Sequence, residues 1–225
     1  QIGLFVEKDS NCTIVQSTLS HHPNTAITVC DAELIILESK ITHNAGNGIL
    51  AFQNATIHAD LCEFKDNKMP HIAGKEQTAL TVLNSIFDGG KSIYLLEQSH
   101  GHITASSFTN SDGVQIEITE ETKLTLNNCQ IHHGNSNAIK ASMNSTLNIY
   151  DSQITNHIMP QIVINDSSLI FKNSELLNGE RNGFIIENYS EAFIQDSFIS
   201  MHRYPQIWID KHSTVEMKTT TITEG

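Results

Sequence analysis

The sequence predicts an all-β chain wound as a parallel solenoid, with about ten rungs of 21–23 residues and three short strands per rung. The first observation is a small residue two places before an apolar anchor. The small positions are Ser17, Ser39, Cys62, Ser85, Ser106, Cys129, Ser152, Ser174, Ser197 and Thr220. The anchors are Leu19, Ile41, Phe64, Phe87, Phe108, Ile131, Ile154, Leu176, Ile199 and Ile222. The second is an inward-type pair just upstream: Cys12/Ile14, Leu34/Ile36, Ile57/Ala59, Leu80/Val82, Leu124/Leu126, Leu147/Ile149 and Leu169/Phe171. The third is another alternating pair after each anchor and a polar turn: Ile27/Val29, Ile49/Ala51, Ile93/Leu95, Val114/Ile116, Ile139/Ala141, Ile162/Ile164, Phe184/Ile186 and Ile207/Ile209.

Each element follows from these columns. Alternation at period two marks strands with one face buried. Three short strands in about 22 residues are too few for a propeller blade, which takes four strands and about 40 residues. No regular series of Asn-Gly two-residue turns punctuates the pattern as hairpins would. A coil that returns to the same register can stack its strands in parallel, rising about 4.8 Å per rung, so ten rungs span about 48 Å. The inward columns then become aliphatic ladders, each rung stable only through its neighbours.

The rung "SKITHNAGNGILAF" (39–52) runs strand, polar turn, glycine, then Ile-x-Ala. It resembles the right-handed parallel β-helices of the pectate-lyase-like superfamily, in particular the degenerate repeats of carbohydrate-binding proteins and sugar hydrolases. The resemblance covers essentially the whole chain. It implies a right-handed coil, and it is weak for function because this scaffold hosts enzymes, adhesins and binding modules alike.

Composition narrows the function classes. A net charge of −12 argues against nucleic acid, since phosphate binding needs clustered Lys and Arg. It also argues against tight binding of acidic polysaccharide unless calcium mediates it. No apolar run approaches the ~20 residues of a membrane helix. The four cysteines lack the CxxC spacing of a structural zinc site. The compartment stays open, with the cytoplasm favoured over secretion. Five sequons, at Asn11, Asn54, Asn144, Asn165 and Asn188, match what chance supplies in an Asn-, Ser- and Thr-rich chain.

The stretch "LNNCQIHHGNSNAIKAS" (126–142) sets a cysteine before a His-His pair. Cys129, however, stands in the small-residue column, where a tight turn admits only a short side chain. Three rungs separate it from Cys62, about 14 Å and beyond disulfide range. His133 shares a column with His21, His43, Asp66, Asn110, Asn156 and Asn178. His21 and His43 on successive rungs are candidate metal ligands. The alternative is a polar stack in which Asn, Asp and His adopt special turn angles. No third and fourth ligand is evident, and no cofactor is expected.

In enzymes of the resembled family, substrate lies along the outside of the strand after the glycine-type turn. The matching outward column reads Thr28, Leu50, Ala73, Tyr94, Gln115, Lys140, Val163, Ile185 and Trp208, without a carboxylate. Glycoside hydrolysis needs two carboxyl groups flanking the bond. Polyuronate lyases of the family use clustered Asp with calcium and a basic Arg or Lys; neither set is present on this face, and the chain's only arginines are Arg181 and Arg203. The remaining catalytic candidates are Glu187 and Asp210, at the same place in adjacent rungs, with His202, Arg203 and Tyr204 in the turn between them.

Outward apolar residues also stack: Val163, Ile185 and Trp208 on one strand column, Ile170 and Phe193 on another. Such ridges mark contact surfaces, and Trp208 is the chain's single tryptophan. The repeat is cut mid-rung at both ends, so residues 1–225 read as one β-helix domain of a longer protein. The leading expectation is a non-catalytic recognition or scaffold module, binding a protein partner or an adjacent domain of the same chain through the ridge. The alternatives are a carbohydrate-binding or carbohydrate-active domain, with Trp208 as a sugar platform, and the stalk of a surface adhesin.

Overall fold

The computed structural model describes residues 2–224. Thirty short strands run from β1 (Leu4–Val6) to β30 (Thr221–Thr223) and deal themselves in rotation onto three sheets. Sheet A begins with β1 and ends with β28 (Ile207–Ile209). Sheet B begins with β2 (Asn11–Val15) and ends with β29 (Thr214–Lys218). Sheet C begins with β3 (Thr18–Ser20) and ends with β30; each sheet has ten strands. Every pairing is parallel and joins a strand to its counterpart one rung away, as in Leu34↔Ile57 and Ile57↔Leu80. The repeat read from the sequence is therefore the repeat of the fold.

The predicted inward columns form the core. Leu34, Ile36, Ile57, Leu124, Leu147 and Ile149 are fully buried, as are the anchors from Ile41 to Ile199. Three anchors make a continuous aromatic stack. The Phe64 and Phe87 rings lie 4.8 Å apart, and those of Phe87 and Phe108 lie 4.7 Å apart, nearly parallel in both cases. That separation is the strand spacing itself, so the sheet register imposes the stacking.

Corners explain the small and polar columns. Between sheets B and C a single residue takes positive φ, for example Glu38, Leu61, Asn84 and Asn128. The small residue follows. The Ser39 hydroxyl donates to Leu37 O at 2.7 Å and accepts from the Ser17 amide of the previous rung at 3.0 Å. The same exchange links Cys129, Ser152, Ser174 and Ser197. In this column the Cys129 thiol is buried and donates to Asn127 O at 3.4 Å, while all four cysteines are free. Between sheets C and A, His21, His43, Asp66, Asn110, His133, Asn156 and Asn178 all take positive φ, which is why Asn, Asp and His recur there.

One column is corrected. The sequence pairs Val114 with Ile116, but the register is Ile93↔Ile116 and Leu95↔Ile118, so the inward pair is Ile116/Ile118. The outward residue between them is Glu117, paired with Tyr94 and Lys140 on its two sides. Gln115 is instead fully buried.

Candidate functional site

The outward face of sheet A is a single column, Phe5, Thr28, Leu50, Ala73, Tyr94, Glu117, Lys140, Val163, Ile185 and Trp208. Residue size sculpts it. Thr28 and Ala73 are buried although they point outward, because each is small and stands between larger neighbours. A groove of about 470 Å³ results, with Leu50, Ala73 and Tyr94 in its floor and Met69, Pro70 and Lys75 among its walls. The column carries a carboxylate after all. Glu117 pairs with half-buried Lys91, whose ammonium lies 4.1 Å from the centre of the Tyr94 ring. Burial, then the carboxylates of Glu117, Glu120 and Glu97, push the Tyr94 phenol up.

At the other end of the face the ridge is in register. Val163↔Ile185 and Ile185↔Trp208 are strand partners, with Trp208 44% exposed and the other two half-buried. Exposed Met159 and Tyr204 lie on the turns that lead into these strands. On sheet B, Ile170 and Phe193 are also partners and half-buried, and the Lys172 ammonium covers Phe193 at 5.1 Å.

The catalytic candidates are differently engaged. Asp210 accepts from the Asn188 amide at 2.8 Å through one oxygen and from the His212 amide at 3.0 Å through the other. These bonds, with help from Ser213, hold its carboxyl at about 2. Glu187 accepts from Asn165 at 2.9 Å. The structure also divides the turn that the sequence placed beside them. His202 is buried and faces Gln161 and Gln206, Arg203 pairs with Glu180, and Arg181 lies over the Tyr204 ring at 4.8 Å.

His21 and His43 stack face to face, with centroids 5.3 Å apart and planes within 5°. Imidazole lone pairs lie in the ring plane, so stacked rings aim them side by side instead of at one point. His43 also approaches Asp66 at 3.5 Å. Among the described residues no group of three or more His, Cys, Asp or Glu is arranged to hold a metal ion. No helix among them is long and apolar enough to cross a membrane.

Sequence reasoning missed a set of interior groups below this face. His71, His157 and His202 are buried, as are Gln115 and Gln161. A signal existed in the recurring runs Met69-Pro70-His71-Ile72, Met159-Pro160-Gln161-Ile162 and Tyr204-Pro205-Gln206-Ile207.

The family model for the right-handed β-helix region matches residues 2–159 and 71–222, and the chain belongs to that family. Among solved structures it is similar to the A-module of mannuronan C-5 epimerase AlgE6 from Azotobacter vinelandii, with 10% identity and a TM-score of 0.69 over 95% of this chain and 78% of that one. The periplasmic alginate epimerase AlgG matches at 8% identity and TM-score 0.52, over 88% and 74% of the two chains. The catalytic domain of a GH87 α-1,3-glucanase matches at 11% identity and TM-score 0.53, over 94% of this chain and 48% of its own. Comparison with curated sequences finds no match. At these identities the likeness establishes the fold.

Proposed function

We propose that the chain is a non-catalytic recognition module that binds a protein partner or a neighbouring domain through the sheet A ridge. The observation that carries the reading is the unbroken apolar row Val163, Ile185, Trp208 on three consecutive strands, flanked by exposed Met159 and Tyr204. Aliphatic, methionine and aromatic side chains together suit the apolar core of a protein interface. Asp210 is poorly suited to be the acid of a glycosidase pair, because the Asn188 and His212 amides stabilise its ionised carboxylate. A glycosidase acid must hold a proton near neutral pH, and Asp210 is held at about 2.

A second reading, carbohydrate binding, is favoured by the groove at Tyr94 on the same face, with its aromatic floor and its Lys91–Glu117 pair. The likeness to alginate epimerases and a glucanase supports that reading as well.

One experiment separates the two. The wild type, Trp208→Ala and Tyr94→Ala are each used as bait for native partners and titrated with alginate, polygalacturonate and α-1,3-glucan. The recognition reading expects Trp208→Ala to lose a defined partner by at least tenfold while every glycan stays uncut. Glycan cleavage that Glu187→Ala removes with folding intact would sink it. Glycan binding lost only in Tyr94→Ala would establish the second reading.

A further inference from the structure

Three turns entering sheet A place a proline two residues before the strand: Met69–Pro70, Met159–Pro160 and Tyr204–Pro205. Each is built alike. The proline carbonyl accepts from an asparagine side chain one rung earlier: Asn47 at 3.1 Å, Asn137 at 2.5 Å and Asn182 at 2.9 Å. Backbone amides of the turns reach back one rung as well, Lys68 to Asn44 O, Met69 to Gly46 O, Ile158 to Gly134 O and Arg203 to Gly179 O. Each turn also adjoins a buried imidazole, and the three imidazoles are bonded differently.

His71 donates through Nε2 to Gly89 O at 2.6 Å and accepts at Nδ1 from the Asn67 side-chain amide at 2.8 Å. A proton on Nδ1 would set donor against donor. The charged groups around it are Asp66 and Asp88, with the Phe64 and Phe87 rings about it. His157 donates through Nε2 to Gln115 Oε1 at 2.6 Å, across the space left by Gly134, while its Nδ1 is buried without a partner. A second proton there finds no acceptor in hydrogen-bonding geometry; the Thr155 backbone is the one nearby group that favours the charge, and burial outweighs it. The titratable groups facing it are His132 and His133, both of which would repel the charge. Burial first, and these neighbours second, hold His157 at about 3; burial holds His71 at about 4.

His202 is the exception. Its Nε2 faces Gln161 Oε1 at 2.9 Å, and its Nδ1 meets Gln206 Oε1. Two amide oxygens can satisfy an imidazolium in place. Gly179 and Gly183 supply backbone beside the ring, Arg203 pairs with Glu180 on the adjoining turn, and the Gln206 bond favours the charged ring against the burial that disfavours it.

We infer that Met69–Pro70 and Met159–Pro160 are acid-operated clasps at the entry to sheet A: a proton taken up by His71 or His157 releases the adjoining turn, while Tyr204–Pro205 stays shut. Release would alter the walls of the Tyr94 groove and the turn that leads to Val163, so a ligand held there is let go in acid. That consequence rests on the proposed function; the opening of the turns does not.

Hydrogen exchange on the free wild-type protein at pH 7 and pH 4.5, corrected for intrinsic rates, tests the inference. An imidazole that is free in the open turn and held at about 4 or below in the closed one favours opening by about 50-fold at pH 4.5. The amides of Lys68, Met69 and Ile158 are expected to lose that much protection. Arg203 and the amides of Gln77 and Gln98 between sheets A and B should keep theirs. His157→Gln, which offers a neutral amide to Gln115, should leave Ile158 protected at both pH values. Should that variant not fold, the wild-type comparison decides alone. Uniform loss at all these amides, or no loss at Lys68, Met69 and Ile158, would overturn the clasp. Selective loss with a bound partner still retained would leave the clasp standing and count against the ridge as the site it regulates.

Discussion

Replacing Phe87 with alanine removes the middle ring of the three-ring stack in the solenoid core. The ring is fully buried and lies 4.8 and 4.7 Å from Phe64 and Phe108. Truncating a buried phenylalanine costs about 3–5 kcal/mol in lost transfer energy and residual cavity. Two ring-ring contacts contribute about 0.5–1.5 kcal/mol each beyond burial. The backbone cannot collapse into the gap, because sheet register fixes the rungs above and below. The upper part of the range therefore applies, about 5 kcal/mol in all. Against a domain stability of about 5–15 kcal/mol this is a large fraction. Phe87→Leu keeps most of the volume and should cost about 1–2 kcal/mol. The assay is equilibrium urea unfolding followed by far-UV circular dichroism, with the denaturant slope m read alongside the midpoint. A Phe87→Ala cost below about 2 kcal/mol would refute the claim that strand register holds the stack open. A fall in m would instead show the solenoid splitting at this rung into separately unfolding blocks.

Acid should destabilise the chain through His71 and His157, whose folded values of about 4 and about 3 lie below the unfolded value of 6.5. Their contribution is complete above pH 6.5 and declines as pH falls toward those folded values. By pH 5 the loss is about 2 kcal/mol for each, measurable as a lowered urea midpoint. A Cβ at Gly134 would lie 2.5 Å from His157 Cδ2, so Gly134→Ala should cost about 1–3 kcal/mol. Gly113→Ala, which meets nothing within 4 Å, should be neutral in the same thermal melt. Ser152→Ala strands the buried Cys129 amide, at about 1–3 kcal/mol, whereas Ser152→Cys, which occurs naturally in this column, should cost less; paired denaturation curves would show the difference.

The period, the inward ladders and the small-residue column were legible because each is a side-chain requirement repeated at almost every rung. The Glu117 error arose where two alternating pairs, Val114/Ile116 and Ile116/Ile118, satisfy the same hydrophobic pattern. Turn length would have decided between them. Asp66 to Ile72, His133 to Ile139 and Asn156 to Ile162 each span six positions, and so does Asn110 to Ile116. The apolar ridge could be read from the sequence because it lies on strands, where alternation tells inside from outside. The buried histidines were missed, since a polar residue in a turn or at a strand end looks solvated until the next rung is laid over it, and only the recurring proline runs before sheet A pointed to them. Asp210 shows the same limit from the other side: its position was readable, but the backbone amides that occupy both its oxygens were not.

The Gln–Gly–His arrangement occurs twice, as Gln115, Gly134, His157 and again as Gln161, Gly179, His202, each spanning neighbouring coils. Glycine must lie beneath each of these imidazoles, because the ring fills the space a side chain would need. Neighbouring coils here are thus not interchangeable copies. Deleting a single coil from this half would set glycine against glycine or ring against ring, whereas deleting or duplicating two together keeps the alternation. The unit in which this half of the molecule can be lengthened or shortened, by evolution or by design, is the pair.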